Sequence, residues 1–413
     1  MRPDFEIAAS QKRALELVTE VAKEKDCRPF LVGGPVRDLL LGRGAIDVDL
    51  TLEEGSSTLA RALARRVDGR VRSYPQFMTY KVTADGLPEI DIATARKERY
   101  RSPGALPAVT AGKLQDDLLR RDFSINAIAL DLLDGSLHDP AAGERDLREG
   151  VIRILHEKSF IDDPTRIFRA IRLAARLRFA IEEDTARRMR EAIDAGALGT
   201  VTRERLWREV FLAMDEADAP AILSALDEQG ALSALIGGRL TGEAQQTLRR
   251  AREAVAARPE LDRHVLYAGA LLRGLELPSD DTLAGAGFSQ KRTRSILQIA
   301  RELPRFEEAL AGAQSDRHRF RLLRGVSPEI RTIVAAARPS ESGHVARFEE
   351  FQRFKLPLRG NELEVPGGPH VARALERTRE AVFTGEIPPD QARTFAREMA
   401  IKYLKREHSS DLK

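Results

Sequence analysis

The sequence predicts an α+β N-terminal region, a mixed sheet with flanking helices over residues 1–150, followed by an all-α remainder. Three observations carry this reading. Short β-type runs bounded by Gly, Asp and Pro recur as far as Leu132. Beyond Phe160 the apolar residues Ile167, Ala170, Ile171, Ala174 and Leu177 fall at helical spacing, and alternation with period two stops. Breaks at Gly196 to Gly199, Gly237–Gly238, Pro278–Ser279 and Pro366 to Pro369 then divide the helical part into successive layers, an elongated arrangement rather than one bundle.

The elements follow in order. Gln11 to Lys25 places Leu15, Val18, Val21 and Ala22 on one helical face. Strand-like segments are Pro29–Val32, Ile46–Leu50, Val71–Ser73, Thr79–Val82, Glu89–Thr94 and Ile128–Leu132, with helices around Leu39–Leu41 and across Ser57–Arg66. Lys97 to Leu119 reads as a flexible segment, too long for a simple turn. A fixed-period repeat is absent from the sequence, which excludes a solenoid.

Composition narrows the function classes. At 413 residues the chain calls for two or more packed units. With 67 basic against 64 acidic residues the formal charge of +3 favours a polyanionic partner only weakly, so charge distribution has to decide. Arginine outnumbers lysine, and its planar fork matches phosphate in a way ammonium does not. The single cysteine, Cys27, excludes an intramolecular disulfide and a cysteine zinc site, which fits a reducing compartment. The opening MRPDFEIAAS lacks the apolar core of a signal peptide, and no run reaches the roughly 20 apolar residues of a membrane span. A cytoplasmic protein without a membrane partner is expected.

The chemistry concentrates in two places. Asp47–Val48–Asp49 lies in a strand-like run, where residues two apart project from one face. Two carboxylates about 4 Å apart repel by roughly 4 kcal/mol at an effective dielectric of 20, so the pair calls for a cation, and oxygen donors suit magnesium held together with a nucleoside triphosphate. An isolated Asp-x-Asp is more often a solvated strand end. Here, however, Leu31 to Asp38 runs from a strand through Gly33–Gly34 into a helix carrying Arg37, a turn whose backbone can approach phosphate oxygens. Asp91 on a further strand-like stretch could complete a three-acid metal site, with Glu89 on the same face as the less favoured candidate.

These residues occur within LVGGPVRDLLLG, DVDLT, RRDFSINAIAL and DDPTRIFRAIRLAARLRF, in that order over roughly residues 28–180. That series resembles the class II tRNA nucleotidyltransferase (CCA-adding enzyme) and bacterial poly(A) polymerase family, within the polymerase-β-like nucleotidyltransferase superfamily. Leu358 to Leu363 followed by Pro366 to Pro369 is similar to the family's tail. The resemblance implies a catalytic head over 1–150, a helical neck over 151–215, a body over 216–340 and an RNA-binding tail over 341–413. It implies two-ion Mg2+ catalysis at Asp47, Asp49 and Asp91, in which CCA, CC or A is added to tRNA from CTP and ATP. Arg121, Asp122 and Asn126 become nucleotide-site residues beside Gly33, Gly34 and Arg37. Asp163 and Arg166 become the pair that reads the incoming base. Arg169 and Arg172, each three residues on from the last, continue the helix face of Arg166 and read either as a solvated basic stripe or, for at least one of them, as a nucleotide-site residue in contact with phosphate.

Bland readings stand beside these. Asp162 and Pro164 are ordinary helix-start signals, and Asp162 replaces the family's usual glutamate. Arg203 to Glu209 is similar to a family helix that braces the neck, with Trp207 and Phe211 expected in the core. Lys291–Arg292–Thr293–Arg294 and Lys402 to Arg406 are solvated clusters singly and an RNA track collectively. His264 has no histidine–aspartate partner set and is expected to be structural. A poly(A) polymerase acting on other RNA ends is the alternative within the chemistry, and a non-catalytic helical RNA-binding protein the alternative outside it.

Overall fold

In a computed structural model the described residues are 7–44, 47–273, 283 and 285–410, with side chains described as far as 405. Ile46 of one expected strand, the break at Pro278–Ser279 and the Arg406 side chain lie outside them. The chain folds into two compact units. One comprises the chain up to Arg239 with the stretch ending at Gly287, and the other comprises Leu240–Leu283 and Phe288 onward.

The first unit opens with α1 (Ala9–Glu24), whose buried face is Ala14, Leu15, Leu17, Val18, Val21 and Ala22. Seven strands form its sheet: β1 (Phe30–Val32), β2 (Val48–Leu52), β3 (Arg70–Tyr74), β4 (Thr79–Thr83), β5 (Ile90–Thr94), β8 (Ala129–Asp131) and β9 (Leu137–His138), in spatial order β3-β4-β5-β2-β1-β8-β9. β2 and β5 run parallel and the other neighbours antiparallel. Between these strands come α2 (Gly34–Leu40) and α3 (Ser56–Arg66). Val48, Leu50 and Leu52 on β2, and Ile90 and Ile92 on β5, are all buried. Alternation therefore turns Asp49 and Asp91 to the opposite face of the sheet.

Two expectations change here. Lys97 to Leu119 is not a flexible segment but an antiparallel hairpin, β6 (Arg96–Arg99) with β7 (Ala108–Ala111), followed by α4 (Leu114–Leu119). The reason it escapes a hydrophobicity pattern is that β6 reads Arg-Lys-Glu-Arg, with charged side chains on both faces. The helical remainder also holds a short parallel ladder, β10 (Val151–Ile152) with β11 (Ala180–Ile181), reached after α5 (Gly143–Glu149).

Six helices follow: α6 (Ser159–Asp162), α7 (Thr165–Leu177), α8 (Glu183–Asp194), α9 (Arg203–Met214), α10 (Ala219–Glu228) and α11 (Ser233–Ile236). Trp207 is fully buried, a core residue as expected, and stacks on the half-buried Phe211 at 5.7 Å. The α7 start differs from the expectation. Asp163, not Asp162, accepts from the Thr165 backbone N–H (3.2 Å) and hydroxyl (2.7 Å), because Asp162 still belongs to α6.

The described part of the second unit is helical: α12 (Gly242–Ala257), α13 (Arg263–Leu272), α14 (Gln290–Ala311), α15 (Asp316–Arg324), α16 (Pro328–Ala337), α17 (Pro339–Arg353), α18 (Pro369–Phe383) and α19 (Ala392–Ser410). Phe320, Phe348, Phe351 and Phe383 pack ring to ring in one core, and Leu363, Val371, Ala374, Ala396 and Ala400 form another.

Candidate active site

Because β2 and β5 are parallel and in register, Asp49 stands directly beside Asp91. Asp47 precedes β2 and is exposed. Burial pushes the Asp49 carboxyl up to about 6, helped by the charges of Asp91 and Asp47 and only partly offset by Arg121 and Lys81. Such a site is short of positive charge. Lys81, paired with Asp91 across β4 and β5, lies 3.3 Å from that carboxylate and also bonds Glu89.

Asp49 opens onto a cavity of about 500 Å3. One wall is the β1–α2 turn. Gly33 takes φ of 76°, and a Cβ there would lie 2.6 Å from Arg121 Nη1. The left-handed backbone favours glycine here, and a Cβ would also displace the guanidinium seated on it. Arg121 in turn donates to Asp117 (3.0 Å), which also holds Arg120 (2.8 Å). Asp117 is fully buried; burial would raise its carboxyl, but the two arginines outweigh that and hold it below the ordinary value.

The second wall is Asp122 with Asn126. Asp122 Oδ1 accepts from Asn126 Nδ2 and the Phe123 N–H (2.9 Å each), while Oδ2 accepts from Arg169 Nε (2.9 Å) and Nη2. Burial alone would raise the Asp122 carboxyl, yet the Arg169 charge and these hydrogen bonds hold it well below the carboxylate range. Asp122 is therefore ionised at any working pH.

The third wall is the α6–α7 corner. Arg166, 5% exposed, donates to Ser159 Oγ (2.7 Å) and the Arg120 carbonyl (2.8 Å). Asp163 Oδ1 accepts from Thr165 and from Arg205 Nη2 (2.9 Å), and its Oδ2 has no hydrogen-bond donor among the described residues. An acceptor and a guanidinium thus share one corner, the equipment needed to read the edge of a base.

The cavity gathers Gly33, Gly34, Asp49, Arg121, Asp122, Asn126, Asp163, Arg166 and Arg169. Four expected site residues do not line it. Asp47 and Asp91 flank Asp49, as described. Arg37 is buried with its guanidinium committed to Asp38 (2.9 and 3.0 Å) and Asn126 Oδ1 (2.7 Å), so it buttresses the wall from behind. Arg172 is held by Glu216 (3.2 Å) and Glu209 (3.5 Å), a correction to its expected turn toward phosphate. The carboxylates that capture it are 37 and 44 residues away in sequence, beyond any local pattern.

Residues not expected as site residues complete the lining: Phe77, Arg96, Glu98, Tyr100, Leu106, Pro107, Val109, Arg120, Thr165 and Arg205. Glu98 links hairpin to wall, accepting from Arg120 (2.9 Å), Arg96 (3.2 Å) and the Tyr100 hydroxyl (3.2 Å). Burial pushes the Tyr100 phenol up to about 12, so it stays a donor. The signal for the hairpin residues was alternation of charge, Arg96 and Glu98 facing in, which a search for apolar periodicity passes over.

A larger cavity of about 890 Å3 lies elsewhere, lined by Lys25, Cys27, Phe30, Glu53, Leu114 and His138 among others. It contains none of the expected site residues. Its Arg28 is tied to Asp131 and Asp134, and its Lys113 to Glu53. Size alone therefore does not locate the chemistry.

A mixed sheet bearing adjacent acids beneath a glycine turn, joined to a helical corner with an Asp/Arg pair, defines a nucleotidyltransferase-type head. Comparison with known proteins agrees. Residues 29–153 match the family described as the Poly A polymerase head domain. The A-adding tRNA nucleotidyltransferase of Aquifex aeolicus (strain VF5) is 42% identical over 214 residues, 51% of this chain and 26% of that protein. The A-adding tRNA nucleotidyltransferase of Geobacter sulfurreducens (strain ATCC 51573 / DSM 12127 / PCA) is 31% identical over 395 residues, 89% of this chain and 44% of that protein. This chain thus spans less than half the length of either. A solved tRNA nucleotidyltransferase complexed with a primer tRNA and an incoming ATP analog superposes with TM-score 0.70 at 31% identity, covering 82% of this chain and all of that one. The chain belongs to the class II tRNA nucleotidyltransferase and bacterial poly(A) polymerase family.

Proposed function

We propose that this protein adds nucleotides to the 3′ end of tRNA from CTP and ATP without a nucleic-acid template, releasing pyrophosphate. The observation that carries the reading is Asp49, set in register beside Asp91, raised to about 6 and opening onto an arginine-lined cavity with an Asp/Arg corner. The names of the relatives sharpen it toward addition of the terminal A.

The acids fit magnesium. Among the described residues no group of three or more His, Cys, Asp or Glu could hold a metal on its own. Mg2+, however, is ordinarily bound through one or two carboxylates with the remaining sites left to water and phosphate. Asp49 and Asp91 are such a pair, with Asp47 at the strand start. A two-ion Mg2+ centre would supply activation of the terminal 3′-hydroxyl and charge stabilisation on the triphosphate.

The rest is positioning by this chain's own groups. Arg121, seated on Gly33, presents a guanidinium to the triphosphate. Asp122 and Asn126 hold the ribose hydroxyls, the charge of Asp122 held by Arg169 and the orientation of the Asn126 amide by Arg37. Asp163 Oδ2 accepts from the exocyclic amine that cytosine and adenine share, and Arg166 donates to the adjacent ring nitrogen; uracil and guanine would set a carbonyl against the carboxylate. The division into head 1–150, neck 151–215, body 216–340 and RNA-binding tail 341–413 belongs to the same proposal. So does a cytoplasmic location, consistent with the absence of a helix long and apolar enough to cross a membrane among the described residues.

The test is incubation of the full chain with tRNA transcripts ending before CCA, after C and after CC, with each triphosphate alone, and with an unrelated RNA. Extension confined to tRNA supports the proposal, and the accepted transcript tells A, CC and CCA addition apart. Extension of every RNA with A would make it a poly(A) polymerase. Magnesium-independent RNA binding without extension would make it a non-catalytic binder.

A further inference from the structure

The mouth of the cavity carries an apolar feature that the reading above leaves unexplained. Among the described residues five large apolar side chains stand exposed, and two of them, Phe77 (43%) and Leu106 (70%), line this one cavity. Single exposed apolar residues are ordinary on a protein surface, but two at the rim of a cationic cavity are not scattered.

Both are held in place. Phe77 ends the turn Pro75–Phe77 between β3 and β4, and its carbonyl accepts from Arg96 Nη1 (3.0 Å) and Thr79 Oγ1 (3.3 Å). The next residue, Met78, is bonded through N–H to Pro75 and through its carbonyl to Thr94, both at 3.0 Å. Met78 has φ of 51°, the left-handed region, which costs a non-glycine residue of order 1 kcal/mol or more. A strained, fully hydrogen-bonded turn thus presents an aromatic ring toward solvent. Leu106 comes from the β6–β7 loop, which is pinned at Gly104. There the N–H donates to the Asp162 carbonyl (3.2 Å) and the carbonyl accepts from Arg205 (2.8 Å). Gly104 has φ of 70°, and a Cβ on it would lie 2.3 Å from Thr200 Oγ1, so the loop rests directly on the neck.

We propose that Phe77 and Leu106 form a clamp for the face of the unpaired base at the 3′ end of the acceptor RNA. This rests on the proposed function and adds the acceptor's subsite to it. Depth assigns the occupant. Arg166, at 5% exposure, and Asp163 take the edge of the incoming base at the wall, so a base gripped by rim residues is the one that arrives from solvent on the RNA. Stacking on an aromatic face is sequence-tolerant, which suits a terminus whose base identity changes between acceptors.

Phe77→Ala and Phe77→Trp in the full chain test it, with Phe77→Ala folding checked by its melting temperature. Loss of one base–aromatic stack is worth about 10-fold or more in affinity. Phe77→Ala should raise the KM for a truncated tRNA by about that factor, leave the KM for ATP within about twofold, and be rescued by Phe77→Trp. A second readout does not need turnover: 2-aminopurine at the 3′ terminus of the tRNA should be quenched on binding to the original chain and not to Phe77→Ala. Unchanged acceptor KM and unchanged quenching would overturn the clamp. A rise in the ATP KM in place of the acceptor KM would overturn it by giving Phe77 to the incoming base. Quenching that depends on Phe77 in a chain without incorporation would support the clamp while overturning the enzymatic reading.

Discussion

In the first unit Arg169 and Arg121 lie against Asp122 and Asp117 along the wall of a cavity. In the second, the buried Arg273 and the exposed Arg338 lie against Glu307, itself 1% exposed within helix packing. The residue types and distances are alike. What differs is the remaining face of each cluster. Arg169 and Asp122 border a cavity that can admit phosphate and ribose, whereas Glu307 is enclosed by the arginines of its own unit and serves the packing of α13, α14 and the α16–α17 junction. Burial pushes Glu307 upward, with Arg273 and Arg338 opposing. Abundant arginine therefore says little by itself; an ion pair becomes a candidate binding group when a cavity is left beside it.

Substitutions can break that contrast. The largest expected effect is at the acids: Asp49→Asn should lower incorporation by on the order of 1,000-fold, since several kcal/mol of charge stabilisation in the transition state are lost, while far-UV circular dichroism stays the same. Glu307→Ala should do the reverse. It strips the exposed Arg338 of its partner and leaves the buried Arg273 with Glu243 alone, and should cost about 1–3 kcal/mol of stability in denaturant titration, with activity per folded molecule retained. An activity loss in Glu307→Ala exceeding its loss of folded protein would erase the distinction between the clusters.

Subtler changes sharpen it. Asp163→Asn should reduce the preference for CTP and ATP over UTP and GTP by roughly 10- to 100-fold, because the acceptor facing the base amine is weakened. The pH dependence carries a definite sign. Asp49 has a folded pKa of about 6, above its unfolded value, so in metal-free buffer the folded state is favoured by its neutral form at low pH, and that contribution is lost as pH rises through about 6. Melting temperature in EDTA should therefore show a falling component between about pH 4 and 6 that Asp49→Asn lacks. The smallest effect is at Arg172: replacement by Met should leave the KM for nucleotide within about twofold, since Glu209 and Glu216 hold that guanidinium outside the cavity lining.

Much of the site was legible because it is local. Alternation suggested Asp47 and Asp49 on one face and Asp91 as a possible third acid, and the diglycine turn was recognisable from its place between strand and helix; that Asp91 stands beside Asp49 came only with the parallel register of β2 and β5. The role of Gly33 was only half visible, since the guanidinium that excludes a Cβ comes from Arg121, far along the chain. The β6–β7 hairpin was hidden by its own composition, because its inward faces are Arg96 and Glu98 rather than apolar residues. Arg37 and Arg172 had the right residue type at the right spacing, but the neighbouring Asp38 and the distant Asn126 absorb the hydrogen bonds of one, and the distant Glu209 and Glu216 those of the other. Charge can be read from a sequence; whether a charge is already paired cannot.

The account turns on Asp49 and Asp91 being a cation site completed by nucleotide. Mn2+ binding followed by electron paramagnetic resonance, with and without a non-hydrolysable ATP analogue, addresses this directly. The original chain should bind the ion tightly only in the presence of the analogue, and Asp49→Asn should lose that nucleotide-dependent binding. Equal Mn2+ binding by the two proteins, with the analogue present, would contradict the assignment.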